Sequence, residues 1–324
     1  MQSATRPHNS TAVLMPNWLG DCLCALAVIN SNFPREQAGP ALIVPPQFVG
    51  LLTEFSDYFL IPYKRKNHEE LKESFALVRK ENFESVYIVP HSFSSALFAL
   101  RSGIPYRVGI GAELRSLFLT RRVSRSAATR KNHITSEYAS VLEAGNFDPA
   151  AWGGVQINKD IRYDDYIVFC PGARYGPAKR WPGYKELALI FGDKRILLLG
   201  DTRDWEQADD IATRAPERIT NLAGVTSLVE AARIIAGAEI VISNDSGLMH
   251  LAGFLGTPVV GLFCSTSPAW THPLGKASLA AAAEIQCRPC FKRTCKYGHY
   301  KCHSLITPER VAELAAQAMK DEKE

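Results

Sequence analysis

The chain has 324 residues, which is more than one hydrophobic core usually serves, so we expect two domains. Its composition, with 46% apolar and 22% charged residues, is ordinary for a globular protein, and a formal net charge of +4 is too small to indicate nucleic acid by itself. No apolar run reaches the roughly 18 residues that cross a bilayer, and the N-terminus lacks the apolar centre of a secretory signal, so we expect a cytoplasmic protein.

The first half of the chain alternates apolar strands with helices. Strands are predicted at residues 11–15, 41–45 and 85–90, and each runs into a proline, where strand pairing stops. Helices are predicted at residues 22–33 and 92–103. Alternation of this kind predicts an α/β fold, in which helices cover both faces of a parallel sheet.

The same alternation restarts after residues 145–162, a stretch that is rich in Gly, Pro and Asn and has no periodicity. We place the domain boundary there, between a first domain of residues 1–155 and a second of residues 163–305. Residues 306–324 form a closing helix, capped by Thr307, that could pack back on the first domain. The sequence thus predicts two doubly wound, Rossmann-like domains that face each other across a cleft, with ligands beyond the carboxyl ends of the strands.

Three motifs lie at such strand ends, and one of them is "SNDSG", residues 243–247. A helix starts near Gly247, so the backbone N–H groups of Ser246, Gly247 and Leu248 would be unpaired and would form an anion site with the helix dipole. Asp245 would repel phosphate but could accept hydrogen bonds from sugar hydroxyls. The alternative is that Asp245 or Ser246 merely caps the helix.

A second motif, "PGARYGPAKRWP" at residues 171–182, also follows a strand and precedes a helix. Its Gly and Pro residues predict a constrained loop that positions Lys179 and Arg180, and Lys179 could neutralise a diphosphate. Trp181 could form a wall of the donor site. The alternative is that both cations are ordinary surface charges on a loop.

The third motif, "NWLGD", brings Asp21 to the first helix of the first domain. This carboxylate could take the proton from an acceptor hydroxyl as a general base, and Gly20 would let the acceptor come close. The alternative is a carboxylate that only interacts with the helix dipole. One base and a stabilised diphosphate leaving group suffice for glycosyl transfer with inversion. The sequence has no Asp-x-Asp pair, which holds a divalent cation in many nucleotide-sugar enzymes, so we expect a reaction without metal or cofactor.

In this order, "MPNWLGD", "PGARYGPAKRWP" and "NDSGLMHLAGFLGTPVV" resemble the glycosyltransferase family 9 heptosyltransferases of lipopolysaccharide core synthesis, and "GPAKRWP" is most similar to the heptosyltransferase II branch. The resemblance covers nearly the whole chain. It implies the two-domain glycosyltransferase B fold, with an ADP-heptose donor on the second domain and a lipid A-linked acceptor on the first. Heptose would be transferred to a heptose of the inner core.

Matching motifs also imply roles for individual residues. Asp21 would be the base and Lys179 the catalytic phosphate cation. The donor site would comprise Gly172, Lys179, Arg180, Asp245, Ser246, Gly247, Leu248 and His250. The sequence departs from the family at Cys22 and Cys24, where members often carry aliphatic residues.

A basic segment lies in the first domain. Between Arg101 and Lys131 there are eight Arg or Lys residues and one acid, Glu113. Such a segment could meet the carboxylates and phosphates of an acceptor or the inner membrane surface, and we assign Arg107 and Arg115 to acceptor binding together with Gly20. The alternative is a solvated basic face. We expect a monomer, peripheral at the cytoplasmic face of the inner membrane, that binds no nucleic acid.

The eight cysteines fall into two groups. The first group, expected to be buried thiols among apolar residues, comprises Cys22, Cys24, Cys170 and Cys264. The second group has the spacing C-x2-C-x4-C-x6-C and comprises Cys287, Cys290, Cys295 and Cys302. These four could hold a structural zinc ion, form a conditional disulfide, or remain free thiols in a reducing cytosol.

Three other functions compete with this interpretation. A sister family 9 transferase would use another acceptor or another sugar. A non-catalytic nucleotide-sugar-binding protein would keep the donor loop, but it needs no acid at position 21. An NAD-dependent dehydrogenase also pairs doubly wound domains, but it expects G-x-G-x-x-G after its first strand, and neither "PNWLGD" nor "PGARYGP" supplies that pattern.

Overall fold

The computed structural model describes residues 9–33, 39–64, 66–124, 130–160 and 162–322, without the side chain of Glu113. The chain divides into two compact units. Unit 1 comprises Met1–Thr129 and Ile134–Phe147, and unit 2 comprises Arg130–His133 and Asp148–Glu324.

Unit 1 contains a parallel sheet. Its strands are β1 (Thr11–Leu14), β2 (Ala41–Val44), β3 (Leu60–Pro62), β4 (Ser85–Ile88), β5 (Tyr106–Ile110) and β6 (Arg121–Val123). Its helices are α1 (Leu19–Asn32), α2 (Val49–Phe55), α3 (His68–Lys80), α4 (Phe93–Arg101) and α5 (Ile134–Val141), and a 3-10 helix at Glu113–Phe118 follows β5. The strands pair in the order β3-β2-β1-β4-β5-β6.

Unit 2 repeats this design. Its strands are β7 (Tyr166–Cys170), β8 (Arg195–Leu198), β9 (Ile219–Asn221), β10 (Val241–Asn244), β11 (Val259–Phe263) and β12 (Ser278–Ala282). Its helices are α6 (Tyr184–Ile190), α7 (Trp205–Ala212), α8 (Leu228–Gly237), α9 (Gly247–Leu255), α10 (Pro268–Thr271), α11 (Lys301–Ser304) and α12 (Pro308–Asp321). The parallel order is β12-β11-β10-β7-β8-β9.

The central strands are buried along their whole length. Every residue of β2, β7, β10 and β11 is inaccessible or nearly so, and most of these residues are aliphatic or aromatic. Such uninterrupted burial is expected where helices cover both faces of a parallel sheet. The predicted fold class, α/β with two doubly wound sheets, is confirmed. No helix within the described ranges is both long and apolar enough to cross a membrane.

Both sheets reverse their direction of winding at one point. In unit 1 the reversal lies between β1 and β4, and in unit 2 it lies between β7 and β10. The loops that leave two such strands diverge, which opens a crevice at their carboxyl ends where ligands of doubly wound proteins bind. The three predicted motifs follow β1, β7 and β10, so all of them lie at these reversal points.

Both ends of unit 2 are held by contacts within the unit. It starts at Asp148, inside the stretch of residues 145–162 where we placed the boundary, and there Trp152 stacks on the ring of Phe254 at 5.4 Å and its indole Nε1 donates to the Phe254 carbonyl at 2.8 Å. At the other end, α12 is capped by Thr307, as predicted, but it packs on α6, β11 and β12. Its apolar face joins the core of unit 2.

Candidate active-site residues in the two units

The turn from β10 into α9 forms the first part of the candidate site. The helix starts at Gly247, with Ser246 at its N-cap, but no side chain caps it. The Ser246 hydroxyl lies instead 3.2 Å from the Ser243 hydroxyl. The first N–H groups of a helix have no partner within it, and Ser246, Gly247 and Leu248 are only half-buried. The simple-cap alternative is therefore not supported, and the helix start can accept an anion.

Lys179 reaches this turn from the loop after β7. Its Nζ donates to Oδ2 of Asp245 at 2.6 Å and to the Asp245 carbonyl at 3.2 Å. The two side chains are 15% and 4% exposed, so their mutual attraction is less screened than that of a surface ion pair. Two motifs that are 66 residues apart in the chain thus meet at the reversal point of the second sheet.

Asn244 connects the turn after β10 to the loop after β7, a role that its place in the motif did not predict. This residue is fully buried at the end of β10. Its Nδ2 donates to the Pro171 carbonyl at 2.6 Å, and its Oδ1 accepts from the Trp181 backbone N–H at 3.1 Å. A polar residue that ends an apolar strand must find partners, and this was the available signal in the sequence.

His250 lies close to the Asp245 carboxylate. Its Nε2 is 3.9 Å from Oδ1 of Asp245, and the ring is buried. Burial lowers the pKa of His250 to about 4, although the charge of Asp245 opposes this effect. The ring is therefore neutral near pH 7, and Lys179 rather than His250 balances the charge of Asp245.

Arg180 and Gly172 both lie next to Asp204. Nη2 of Arg180 donates to Oδ1 of Asp204 at 2.9 Å. A Cβ atom on Gly172 would lie 2.2 Å from Oδ2 of Asp204, so only glycine fits there. The two residues hold the loop after β7 in shape, and their contact with a donor stays a prediction.

Trp181 does not line a ligand site. Its side chain is 1% exposed and lies in the hydrophobic core of unit 2, and its Nε1 donates to the Ile306 carbonyl at 2.9 Å. The prediction for this residue is wrong, because the loop turns its indole inward to pack on Tyr184.

Residues 287–303, which we call the cysteine segment, pack behind the loop that carries Lys179. The Tyr175 hydroxyl donates to the Phe291 carbonyl at 2.7 Å, and the Ala178 N–H donates to the Arg293 carbonyl at 3.0 Å. Nζ of Lys179 lies 5.1 Å from the centroid of the Tyr175 ring. The segment therefore supports the position of the lysine.

The cysteine segment forms no metal site in this structure. Within the described part of the chain, no three His, Cys, Asp or Glu side chains are arranged to hold a metal ion. The four clustered cysteines are half-buried free thiols, and Sγ of Cys295 is 3.9 Å from Nδ1 of His299. The geometry does not support the zinc alternative. The other four cysteines are buried, as predicted.

Asp21 lies in the first turn of α1, beyond the carboxyl end of β1. Its Oδ1 accepts a hydrogen bond from the Tyr138 hydroxyl at 2.8 Å. The carboxylate is half-buried, whereas Gly20 beside it is buried. The acid is therefore held in place at the reversal point of the first sheet.

Arg115 is a buried cation near the same edge of that sheet. Its side chain is 2% exposed, and its Nη1 donates to the carbonyl of Pro90, which follows β4, at 3.1 Å. Its Nε and Nη2 have no hydrogen-bond partner among the described residues. Burial lowers the pKa of Arg115 to about 10, so the guanidinium remains charged at neutral pH.

Two other cations of the basic segment have partners within unit 1. Nε of Arg107 donates to the Phe118 carbonyl at 2.7 Å, so this side chain supports its own loop. Arg121 pairs with Glu143 at 2.7 Å. Arg125 lies outside the described residues. A role of Arg107 in acceptor binding stays a prediction, but its guanidinium is already engaged.

Comparison with known proteins agrees with this geometry. Lipopolysaccharide heptosyltransferase 2 of Escherichia coli strain K12 is 29% identical, over 93% of this chain and 96% of its own. The solved structure of E. coli ADP-heptose lps heptosyltransferase II has a TM-score of 0.79 at 27% identity, covering 97% of this chain and 99% of that one. An E. coli heptosyltransferase solved with ADP has a TM-score of 0.72 at 20% identity, covering 95% and 99%, and shares the fold.

A family model gives the same result over the middle of the chain. The model described as "Glycosyltransferase family 9 (heptosyltransferase)" matches residues 73–301, which is more than half of the sequence. This range includes the loop of Lys179, the turn at Asp245 and the cysteine segment as far as Lys301. The predicted resemblance is confirmed, and the chain belongs to glycosyltransferase family 9, the heptosyltransferases.

Proposed function

We propose that this chain is an inverting glycosyltransferase of the heptosyltransferase II type, which moves L-glycero-D-manno-heptose from ADP-heptose onto the heptose of the lipopolysaccharide inner core. The names of the similar E. coli proteins support the donor and the acceptor. The observation that carries the proposal is the pair of Lys179 and Asp245 at an uncapped helix start. It combines a cation for phosphate with a carboxylate for sugar hydroxyls.

In this proposal the donor replaces one partner of the ion pair. The diphosphate binds the N–H groups of Ser246, Gly247 and Leu248 and takes over Lys179 from Asp245. Asp245 then accepts hydrogen bonds from hydroxyls of the heptose. The ion pair with Asp245 holds Lys179 in position for the donor.

The reaction is a single displacement. The acceptor hydroxyl oxygen attacks C1 of the heptose on the face opposite the diphosphate, and its proton passes to Asp21. The bond between C1 and the diphosphate oxygen breaks, and ADP leaves with the electron pair. Lys179 and the helix N–H groups stabilise the charge that develops on the leaving oxygen. The lack of an Asp-x-Asp pair supports a reaction without a divalent metal or other cofactor.

The direct test is transfer from ADP-heptose to a lipid A core that carries one heptose, with a chelator present. We expect one ADP to be released for each heptose transferred, and the new linkage to have the inverted configuration. Transfer only to a core without heptose would instead identify a sister transferase. Tight donor binding without transfer to any of a panel of truncated cores would identify a binding protein.

Arg115 is our candidate for recognition of an anionic group on the acceptor. A buried cation with unpaired N–H groups is costly unless an anion satisfies them, and a guanidinium matches a carboxylate or phosphate in two parallel hydrogen bonds. The acceptor, which is anchored by lipid A, is expected to supply such groups. We also propose that the protein works as a monomer at the cytoplasmic face of the inner membrane, where that anchor lies.

Replacing Arg115 by Met is expected to raise KM for the acceptor about 10- to 100-fold, because charge-assisted hydrogen bonds are lost, and to leave the Kd of ADP-heptose unchanged. Steady-state kinetics and calorimetry measure the two quantities. Thermal stability should not fall, since an uncompensated buried charge is removed. A lower melting temperature with an unchanged acceptor KM would mean that the arginine only braces the Pro90 loop.

A further inference from the structure

We propose that Tyr138 is a positioning residue for Asp21: its hydroxyl holds the carboxylate by Oδ1, so that Oδ2 is the oxygen that takes the proton of the acceptor. This inference rests on the proposed function, in which Asp21 is the base.

The contact joins two helices of unit 1. Tyr138 lies on α5, which packs against α1, and its hydroxyl donates to Oδ1 of Asp21 at 2.8 Å. The tyrosine is 3% exposed, so packing fixes its ring and hence the position of the hydroxyl. A short hydrogen bond from a fixed donor restricts rotation of the carboxylate, which orients the second oxygen as well.

The surroundings of Tyr138 keep its hydroxyl protonated, so the hydroxyl can donate a hydrogen bond to Asp21. Burial raises the pKa of Tyr138 well above its usual range, and the charge of Asp21 raises it further. Among the described residues, the titratable groups that act on the pair include Cys22 and Cys24 on α1 and Glu137 on α5. Burial raises the pKa of the Cys22 thiol, so this group stays neutral.

Glu137 is a carboxylate next to Tyr138 in the chain, and it has a partner of its own. Its Oε2 lies 3.4 Å from Nε2 of His91, on the loop after β4. Because burial raises the pKa of Tyr138, its hydroxyl acts on Asp21 as a neutral donor near neutral pH. A donor of this kind stabilises the ionised carboxylate and lowers its affinity for a proton.

Two effects on catalysis follow. The hydrogen bond keeps Asp21 ionised down to a lower pH, and it directs proton transfer to one oxygen. Replacing Tyr138 by Phe removes both effects and keeps the ring. We expect kcat to fall about 10- to 100-fold, as for loss of a hydrogen bond to a charged group, while KM for ADP-heptose changes little.

The dependence of kcat/KM on pH distinguishes a residue that orients Asp21 from one that only packs against it. Without the hydroxyl, the pKa of the Asp21 carboxyl rises, so the acid limb of kcat/KM should move to higher pH. Site-specific replacement of Tyr138 by 3-fluorotyrosine strengthens the donor with little change of shape, and it should move the limb to lower pH. The fluorinated variant keeps the test valid should Tyr138→Phe fold poorly.

The chain offers a matched control for the phenylalanine variant. Tyr87 donates to Oε2 of Glu143 at 3.0 Å in the same unit, so Tyr87→Phe removes a similar tyrosine–carboxylate bond elsewhere. It should leave kcat and the pH profile unchanged. An acid limb that stays in place in both Tyr138 variants would overturn the proposal. Full activity of Asp21→Asn would instead reject the base itself, which distinguishes the two failures.

Discussion

Replacing Asp21 by Asn is expected to lower kcat for heptose transfer by about 10²- to 10⁴-fold, which is the usual contribution of a general base. The amide keeps the shape of the side chain and can still accept the hydrogen bond from Tyr138, but it cannot take a proton. The affinity for ADP-heptose should not change, because the proposed donor residues all lie in unit 2.

Single-turnover transfer and calorimetric titration with ADP-heptose measure these two quantities. Asp57→Asn is a suitable control, because it makes the same chemical change at an exposed position of the same unit. A variant at position 21 that transfers heptose at the wild-type rate would show that another group is the base. Loss of donor binding together with activity would mean that the substitution acts through the fold.

Replacing Lys179 by Met should lower kcat/KM about 10²- to 10³-fold, since the leaving diphosphate loses a cation that is positioned before the reaction. Methionine keeps much of the length of the side chain that lies beside Tyr175. The change also leaves Asp245, which is 4% exposed, without its cation. Breaking a buried pair in this way costs about 3–5 kcal/mol of stability, so the single variant combines two effects.

A second substitution separates stability from catalysis. The double variant Lys179→Met, Asp245→Asn removes both charges, so it should recover most of the lost melting temperature and none of the activity. Lys185→Met is the control, because Lys185 pairs with Asp210 at 2.5 Å in the same unit but at the surface, where ion pairs contribute little. Recovery of activity by the double variant would show that Lys179 serves only to neutralise Asp245.

The fold and the location of the site follow largely from local features of the sequence. The runs that became β2, β7 and β11 contain almost only apolar residues, and a proline directly follows both β2 and β7. A motif directly after such a strand must lie at the carboxyl edge of the sheet. The short edge strands β3, β6 and β9, of three residues each, were not predicted, because so few residues carry no periodicity.

The partners of the site residues could not be predicted in the same way. Tyr138 is 117 residues from Asp21 in the chain, and no spacing rule connects them. The burial of Arg115 was also invisible, because an arginine in a basic segment is normally exposed. The structural role of Asn244 could have been predicted from the sequence, since a polar residue there ends an apolar strand within the motif at residues 243–247.

The packing of the cysteine segment has a consequence for inhibitor chemistry. Hydrogen bonds from backbone N–H groups, the first of them from Tyr300, lower the pKa of Cys295 and thus favour the nucleophilic thiolate. An electrophile attached there adds bulk to the segment whose carbonyl groups hold Tyr175 and Ala178. Cys295 is not among the residues proposed to bind the nucleotide, so we expect such a compound not to compete with the donor substrate.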